Sequence, residues 1–231
     1  HDPVSLDGNK ILVQVENDIP SLSVTAATGQ ALDPLALNVD ETVGTDRENS
    51  PAESADGNND GDAPGLGQST TNINGGLATL FTLGGAPGAD EPASDSGTLS
   101  FLFTQAGPLA TNLTATDGGP ITLELTSSTL ITGKDGLTTI FTIEIVGAPG
   151  SEQLQLTQYE AIDHDAAPGS DETPDVFDEI VQLLTTEGGV QLQYEVTRTD
   201  SDNDSVTKAD QIDLVTDEGS FFSFDDDGPT L

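Results

Sequence analysis

The chain has no cysteine, no methionine and no tryptophan, and only five basic side chains stand against 41 acidic ones. Each absence excludes something. Without cysteine there are no disulfides and no thiolate metal ligands, so a version exposed to oxidising surroundings must find its cross-links elsewhere. A formal charge of -36 over 231 residues is repelled by phosphate backbones. Lys10, Arg47, Lys134, Arg198 and Lys208 also stand singly rather than as a patch, which excludes nucleic acid as a partner. The longest apolar runs are strand-sized, well short of the roughly 18 residues that signal a membrane span, and no basic-then-apolar leader is visible. The chain therefore reads as a soluble, excised, monomeric piece.

A hydrophobic content of 34% with 4% aromatics is low for a globular protein and, with this charge, taken alone points to disorder. The pattern points the other way. LATLFTL from Leu77, TTIFTIEIV from Thr138 and VQLQYEVT from Val190 alternate with period two, as strands with one face to bury do. Gly and Pro punctuate them at GGAPG from Gly84, DGGP from Asp117, VGAPG from Val146 and EGG from Glu187. Roughly ten to twelve such strands fit the length. The expected fold is all-β, an antiparallel β-sandwich of immunoglobulin-like or cadherin-like logic with long Ca2+-binding loops. In TPDVFDEIVQLL from Thr173 a helix competes with a strand, the strand being preferred, and TQYEAIDH from Thr157 has room for one helical turn.

The two ends of the chain match. ILVQVENDIPSL from Ile11 and FFSFDDDGPTL from Phe221 each run as an apolar strand, acidic or amide residues, then Pro and an apolar residue, with Pro20 and Pro229 separated by 209 positions. That is the appearance of a tandem array. Residues 1–19 read as the final strand and linker of a preceding repeat and 20–231 as one repeat. The alternative is two lobes, 20–116 and 117–231, suggested by the weaker echo DGGPITL at Asp117. Neighbouring repeats of the same chain are then the first expected partners.

The acids gather where turns are expected, and Asp outnumbers Glu 27 to 14, which favours specific sites over general acidification. Ca2+ takes about 6 to 8 oxygen ligands, so it needs carboxylates and carbonyls converging from short, bendable segments. Asp200, Asp202 and Asp204 alternate directly after the strand VQLQYEVT, where the backbone is already held. In DGNNDGD, Asp56, Asn58, Asp60 and Asp62 alternate too, but Gly67 stands where an EF-hand needs Glu, so a non-EF loop is expected. Asp225, Asp226 and Asp227, matched by Asp18 near the start, precede Pro at the expected junction between repeats, where an ion stiffens a hinge. Asp40 and Glu41, just after LALNV, are placed to reach that ion. Asp163 and Asp165 are further candidates, whereas His164 between them reads as a polar turn residue.

The ordered series LNVDET from Leu37, LTQYEAIDH from Leu156, VTRTDSDNDSVT from Val196 and FSFDDDGP from Phe222 resembles the long aspartate-rich repeat of giant bacterial RTX adhesins secreted by type I systems. The resemblance spans residues 20 to 231. It implies an extracellular, Ca2+-dependent module on the bacterial cell surface that binds several ions, extends or scaffolds an adhesin in attachment and biofilm formation, and positions inserted or adjacent ligand-binding modules. It also implies Asp40, Glu41, Asp200, Asp202, Asp204 and Asp225 to Asp227 as ligands. The RTX nonapeptide itself is not repeated, so no β-roll is expected.

No enzyme is expected. There is no GxSxG, GKD at Gly133 lacks the first Gly of a phosphate loop, and GLGQST at Gly65 lacks a βαβ context. Carboxylate pairs prove nothing in so acidic a chain. The alternative function is a ligand-binding adhesin domain that grips sugar or peptide through the irregular stretch 46–75. Its weakness is aromatic: Tyr159 and Tyr194 are the only tyrosines available to stack on a sugar.

Overall fold

Among the described residues, successive alternating segments form fourteen strands: β1 (Ser23–Ala26), β2 (Leu37–Asp40), β3 (Gly67–Thr70), β4 (Phe81–Gly84), β5 (Ser94–Phe103), β6 (Leu109–Thr114), β7 (Pro120–Ser127), β8 (Leu130–Asp135), β9 (Thr138–Val146), β10 (Gln153–Gln158), β11 (Ile180–Gln182), β12 (Val190–Thr199), β13 (Ser205–Val215) and β14 (Phe222–Asp225). The computed structural model describes residues 19–41, 65–88, 91–116, 118–164 and 180–225. Of the candidate ligands, Asp18, Asp56, Asn58, Asp60, Asp62, Asp165, Asp226 and Asp227 lie outside these residues, as does the side chain of Asp40.

The fold is all-β. A six-stranded sheet runs β3-β10-β9-β8-β7-β6, and three smaller sheets run β13-β12-β5, β11-β14-β2 and β1-β4. Alternation makes these sheets close over one another. Leu109, Leu123, Ile131, Phe141 and Leu156 of the large sheet share a buried cluster with Phe101, Leu192 and Leu214 of the second and Phe222 and Phe224 of the third. Phe141 and Phe224 meet across it, ring centroids 5.0 Å apart. Gly118 and Gly119 lie between β6 and β7 of the large sheet, and the core draws on residues from both sides of them.

Three details depart from the sequence reading. LATLFTL is not one strand: Leu77–Leu80 is a 3-10 turn and the strand begins at Phe81. Gly75 and Gly76, at φ 80 and 78, bend the chain into it, and Thr79 Oγ1 donates to Gly76 O at 2.7 Å. At three residues per turn Leu77 and Leu80 lie on one side, and both are buried. TQYEAIDH holds no helical turn over its described residues. Its end is drawn out because Thr116 N–H donates to Ala161 O at 3.1 Å and Asp163 N–H to Thr114 O at 2.8 Å, beside the Ala115–Ile162 bridge. Finally, β2 and β14 pair in parallel, Asp40 opposite Asp225, while all other strand pairs described are antiparallel. Ile180–Gln182 is a strand, as preferred for the segment it ends.

Gly133 supplies a test of this packing. It sits on β8 opposite Phe141, and a Cβ there runs into the buried Phe141 ring rather than into a flexible chain end. Gly133→Ala should cost about 1–3 kcal/mol by overpacking, read as a lower urea midpoint with an unchanged m-value.

Candidate metal centre

The hairpin β12–β13 is among the longest in the molecule, paired from Val190↔Val215 to Thr199↔Ser205, and β5 pairs along the other side of β12 up to Thr199↔Ser94. Both ladders end at the turn that carries Asp200, Asp202 and Asp204. The backbone closes the turn on itself. Asp200 N–H donates to Asp204 O at 3.0 Å and Asn203 N–H to Asp200 O at 3.3 Å, while Asn203 takes φ 75, a left-handed angle that Asn tolerates better than most residues.

The carboxylate of Asp200 is 5% exposed. Its Oδ1 accepts from Asp204 N–H at 2.9 Å, but its buried Oδ2 meets no hydrogen-bond donor. One ligand oxygen from each of the three aspartates lies within 4.8 Å of the others, which is about the widest spacing for two oxygens sharing one ion at roughly 2.4 Å. Desolvation, with the Asp202 carboxyl beside it, pushes the Asp200 pKa up, against the opposing Asp204 N–H. Arg198, two residues earlier, spends its guanidinium elsewhere: Nε and Nη2 donate to Asp95 at 2.8 Å each, and Nη1 to Ser21 O at 2.9 Å and Gly84 O at 3.2 Å. That pairing holds the Asp95 carboxyl below its usual range. The turn is thus a preorganised set of hard oxygen donors that can hold a metal ion, and it is the only such acidic or histidine triplet among the described residues.

A family model, a domain of unknown function called DUF5801, matches residues 36–214. The chain belongs to the DUF5801 family. Comparison with curated proteins and with solved structures gives no match. The aspartate turn of this DUF5801 domain lies inside the matched span, whereas Asp225 lies beyond it.

The remaining described candidates form a different arrangement. Glu41, 3% exposed, turns inward from the end of β2, and its Oε1 takes the Gln158 side-chain amide, Ile162 N–H at 2.6 Å and His164 Nε2 at 3.4 Å. Its own N–H donates to Asp225 O at 3.2 Å. Asp225, 8% exposed, accepts from Asn38 Nδ2 at 2.5 Å, and Asn38 Oδ1 in turn takes Ser223 Oγ at 2.8 Å. Asp163 is exposed. Glu41 therefore staples β2, β14 and the segment after β10 together. Three of the four motif segments, LNVDET, LTQYEAIDH and FSFDDDGP, meet at this one residue, the second through its carboxylate and the third through its backbone N–H.

Gln158 was not visible in the sequence as part of this arrangement, because a glutamine at a strand end reads as solvent-facing. It is fully buried, and its Oε1 has no hydrogen-bond partner. His164, expected as a polar turn residue, is largely buried against Glu41.

Two predictions follow from these geometries. Because folding raises the Asp200 pKa, Asp200 contributes stability below its unfolded pKa and loses it as pH rises through the folded value. In EGTA at pH 7, Asp200→Asn should therefore melt above wild type, with the gap closing as pH falls toward about 4. Glu41→Ala should cost roughly 2–4 kcal/mol by stranding the Ile162 and Gln158 donors, by the same amount in Ca2+ as in EGTA, measured by urea unfolding.

Proposed function

We propose that this domain is a Ca2+-stabilised structural repeat of a large bacterial cell-surface adhesin, secreted by a type I system and serving as a scaffold for ligand-binding modules. The observation that carries the reading is the buried Asp200 carboxylate, whose Oδ2 meets no hydrogen-bond donor and which brings an oxygen within 4.8 Å of one from each of Asp202 and Asp204. Ca2+ fits this demand: it accepts oxygen ligands in flexible numbers, and it completes its shell with water and backbone carbonyls. Mg2+ demands a stricter octahedron and keeps its waters.

Binding then couples to folding, because only the closed turn presents the three oxygens together. A domain of this kind gains stability on meeting millimolar calcium outside the cell and lacks it inside. The adhesin setting and the type I route are supported by the four-motif resemblance. Asp225, Asp226 and Asp227, with Asp40, belong to the proposal as junction ligands on the same resemblance.

The test is thermal melting at fixed ionic strength. At free Ca2+ about 100 times Kd the stabilisation is ~2.7 kcal/mol, which at this size raises Tm by about 5–10 °C. EGTA should abolish the rise, Mg2+ should fail to restore it, and Asp202→Asn or Asp204→Asn should reduce it. Equal recovery with Na+ alone would mean that screening, not coordination, is responsible.

A further inference from the structure

The strand directions obey a parity rule. Every pair joining an odd-numbered strand to an even-numbered one is antiparallel, and the single even–even pair, β2 with β14, is parallel. This is what results when each strand reverses the direction of the one before it. All odd strands then run one way and all even strands the other, so every turn belongs to one of two poles.

Hydrogen bonds between turns confirm the assignment. After odd strands, Thr104 N–H donates to Gly189 O at 3.0 Å and Thr185 N–H to Thr216 O at 3.0 Å, joining the turns that follow β5, β11 and β13. After even strands, Leu66 N–H donates to Gln158 O at 2.8 Å, Thr116 N–H to Ala161 O at 3.1 Å and Glu41 N–H to Asp225 O at 3.2 Å. No turn–turn bond among these crosses from one pole to the other.

The chain comes into β1 at the second of these poles. Ser21 bonds Ala86 in the β4–β5 connection through its N–H at 2.9 Å, and its carbonyl accepts from Arg198, two residues before the aspartate turn. Fourteen strands and thirteen reversals later, β14 ends at Asp225 on that same pole, beside Glu41. Granted the structural-repeat reading above, on which this rests, we infer that the domains flanking this one in the polypeptide both attach at its aspartate-bearing pole. Each copy is then a side branch on the string of repeats rather than an in-line link, and its opposite pole, with the β9–β10 turn, faces outward. A spacer whose chain enters at one end and leaves at the other needs an odd number of strands, and so an even number of reversals.

The absence of cysteine makes the test clean. Leu137, fully exposed in the β8–β9 turn, marks the aspartate pole, and Ala148, exposed in the β9–β10 turn, marks the other. The nine residues of β9 between them span about 30 Å. Two covalently linked copies of the chain, saturated with Ca2+, carry Ala148→Cys in the first and Leu137→Cys in the second; a companion protein carries the reverse pair. Both are labelled for distance measurement by energy transfer after melting has shown wild-type stability. Attachment at one pole makes the two distances similar, within about 20 Å. In-line attachment makes the first shorter by about twice the strand length, ~60 Å, and a difference above about 20 Å overturns the inference. Failure of the calcium reading shows separately, as a Tm that EGTA leaves unchanged.

Discussion

Buried negative charge is the constraint on which this architecture turns. A chain with 41 acids and five bases cannot neutralise its carboxylates with its own cations, so each acid drawn inside must be met by N–H groups or by something from solution. The three buried acids among the described residues meet that demand differently. Glu41 is held by a side-chain amide, a backbone N–H and an imidazole, Asp225 takes Asn38, and Asp200 is met at one oxygen by Asp204 N–H and left unmet at the other. A fold that supplies donors so fully to Glu41 while withholding one from Asp200 leaves the aspartate turn as a set of oxygens that can hold a metal ion.

The few cations that the chain does have reinforce the distinction. Lys134 pairs with Glu124 across β7 and β8 at 2.6 Å, and Arg198 clamps Asp95 together with two backbone carbonyls. Both tie strands or connections to each other. Arg198 is only two residues from Asp200, yet its four bonds aim away from the triplet and fix the approach to β1 against the end of β12. Exposed ion pairs of this kind contribute little on their own. Their value lies in position, since they hold the turn's base while leaving its oxygens to one another.

Much of this was legible in the sequence because it is written in short range. Period-two segments such as VQLQYEVT and TTIFTIEIV became β12 and β9, and alternating aspartates after a strand became a turn with converging oxygens, since one strand end fixes both. What was not legible depends on long-range contact. The segment LATLFTL has the alternation of a strand, but two glycines with positive φ turn its first half into a 3-10 bend. Gln158 and Glu41 are 117 positions apart, and nothing local in either segment says that they meet. Glu41 beside Asp40 read as one acidic pair, whereas the geometry gives Glu41 to the interior. The four motif segments were visible as a series. That three of them are one contact in space was not.

The same reasoning bears on the long connections. The stretches between Glu41 and Gly65 and between His164 and Ile180 both follow even-numbered strands, and both are rich in Asp, Glu and Asn. Connections after odd strands are shorter than these, from two residues between β7 and β8 to ten between β1 and β2. Parity thus places the aspartate turn, the Glu41 staple and the stems of the acidic connections at one end of the molecule. Like charges collected at one pole repel most strongly there, and bulk salt screens them only beyond about 8–10 Å. The Asp200, Asp202 and Asp204 turn, which can hold a metal ion, stands at this pole, where a bound cation would remove charge at the point of greatest repulsion.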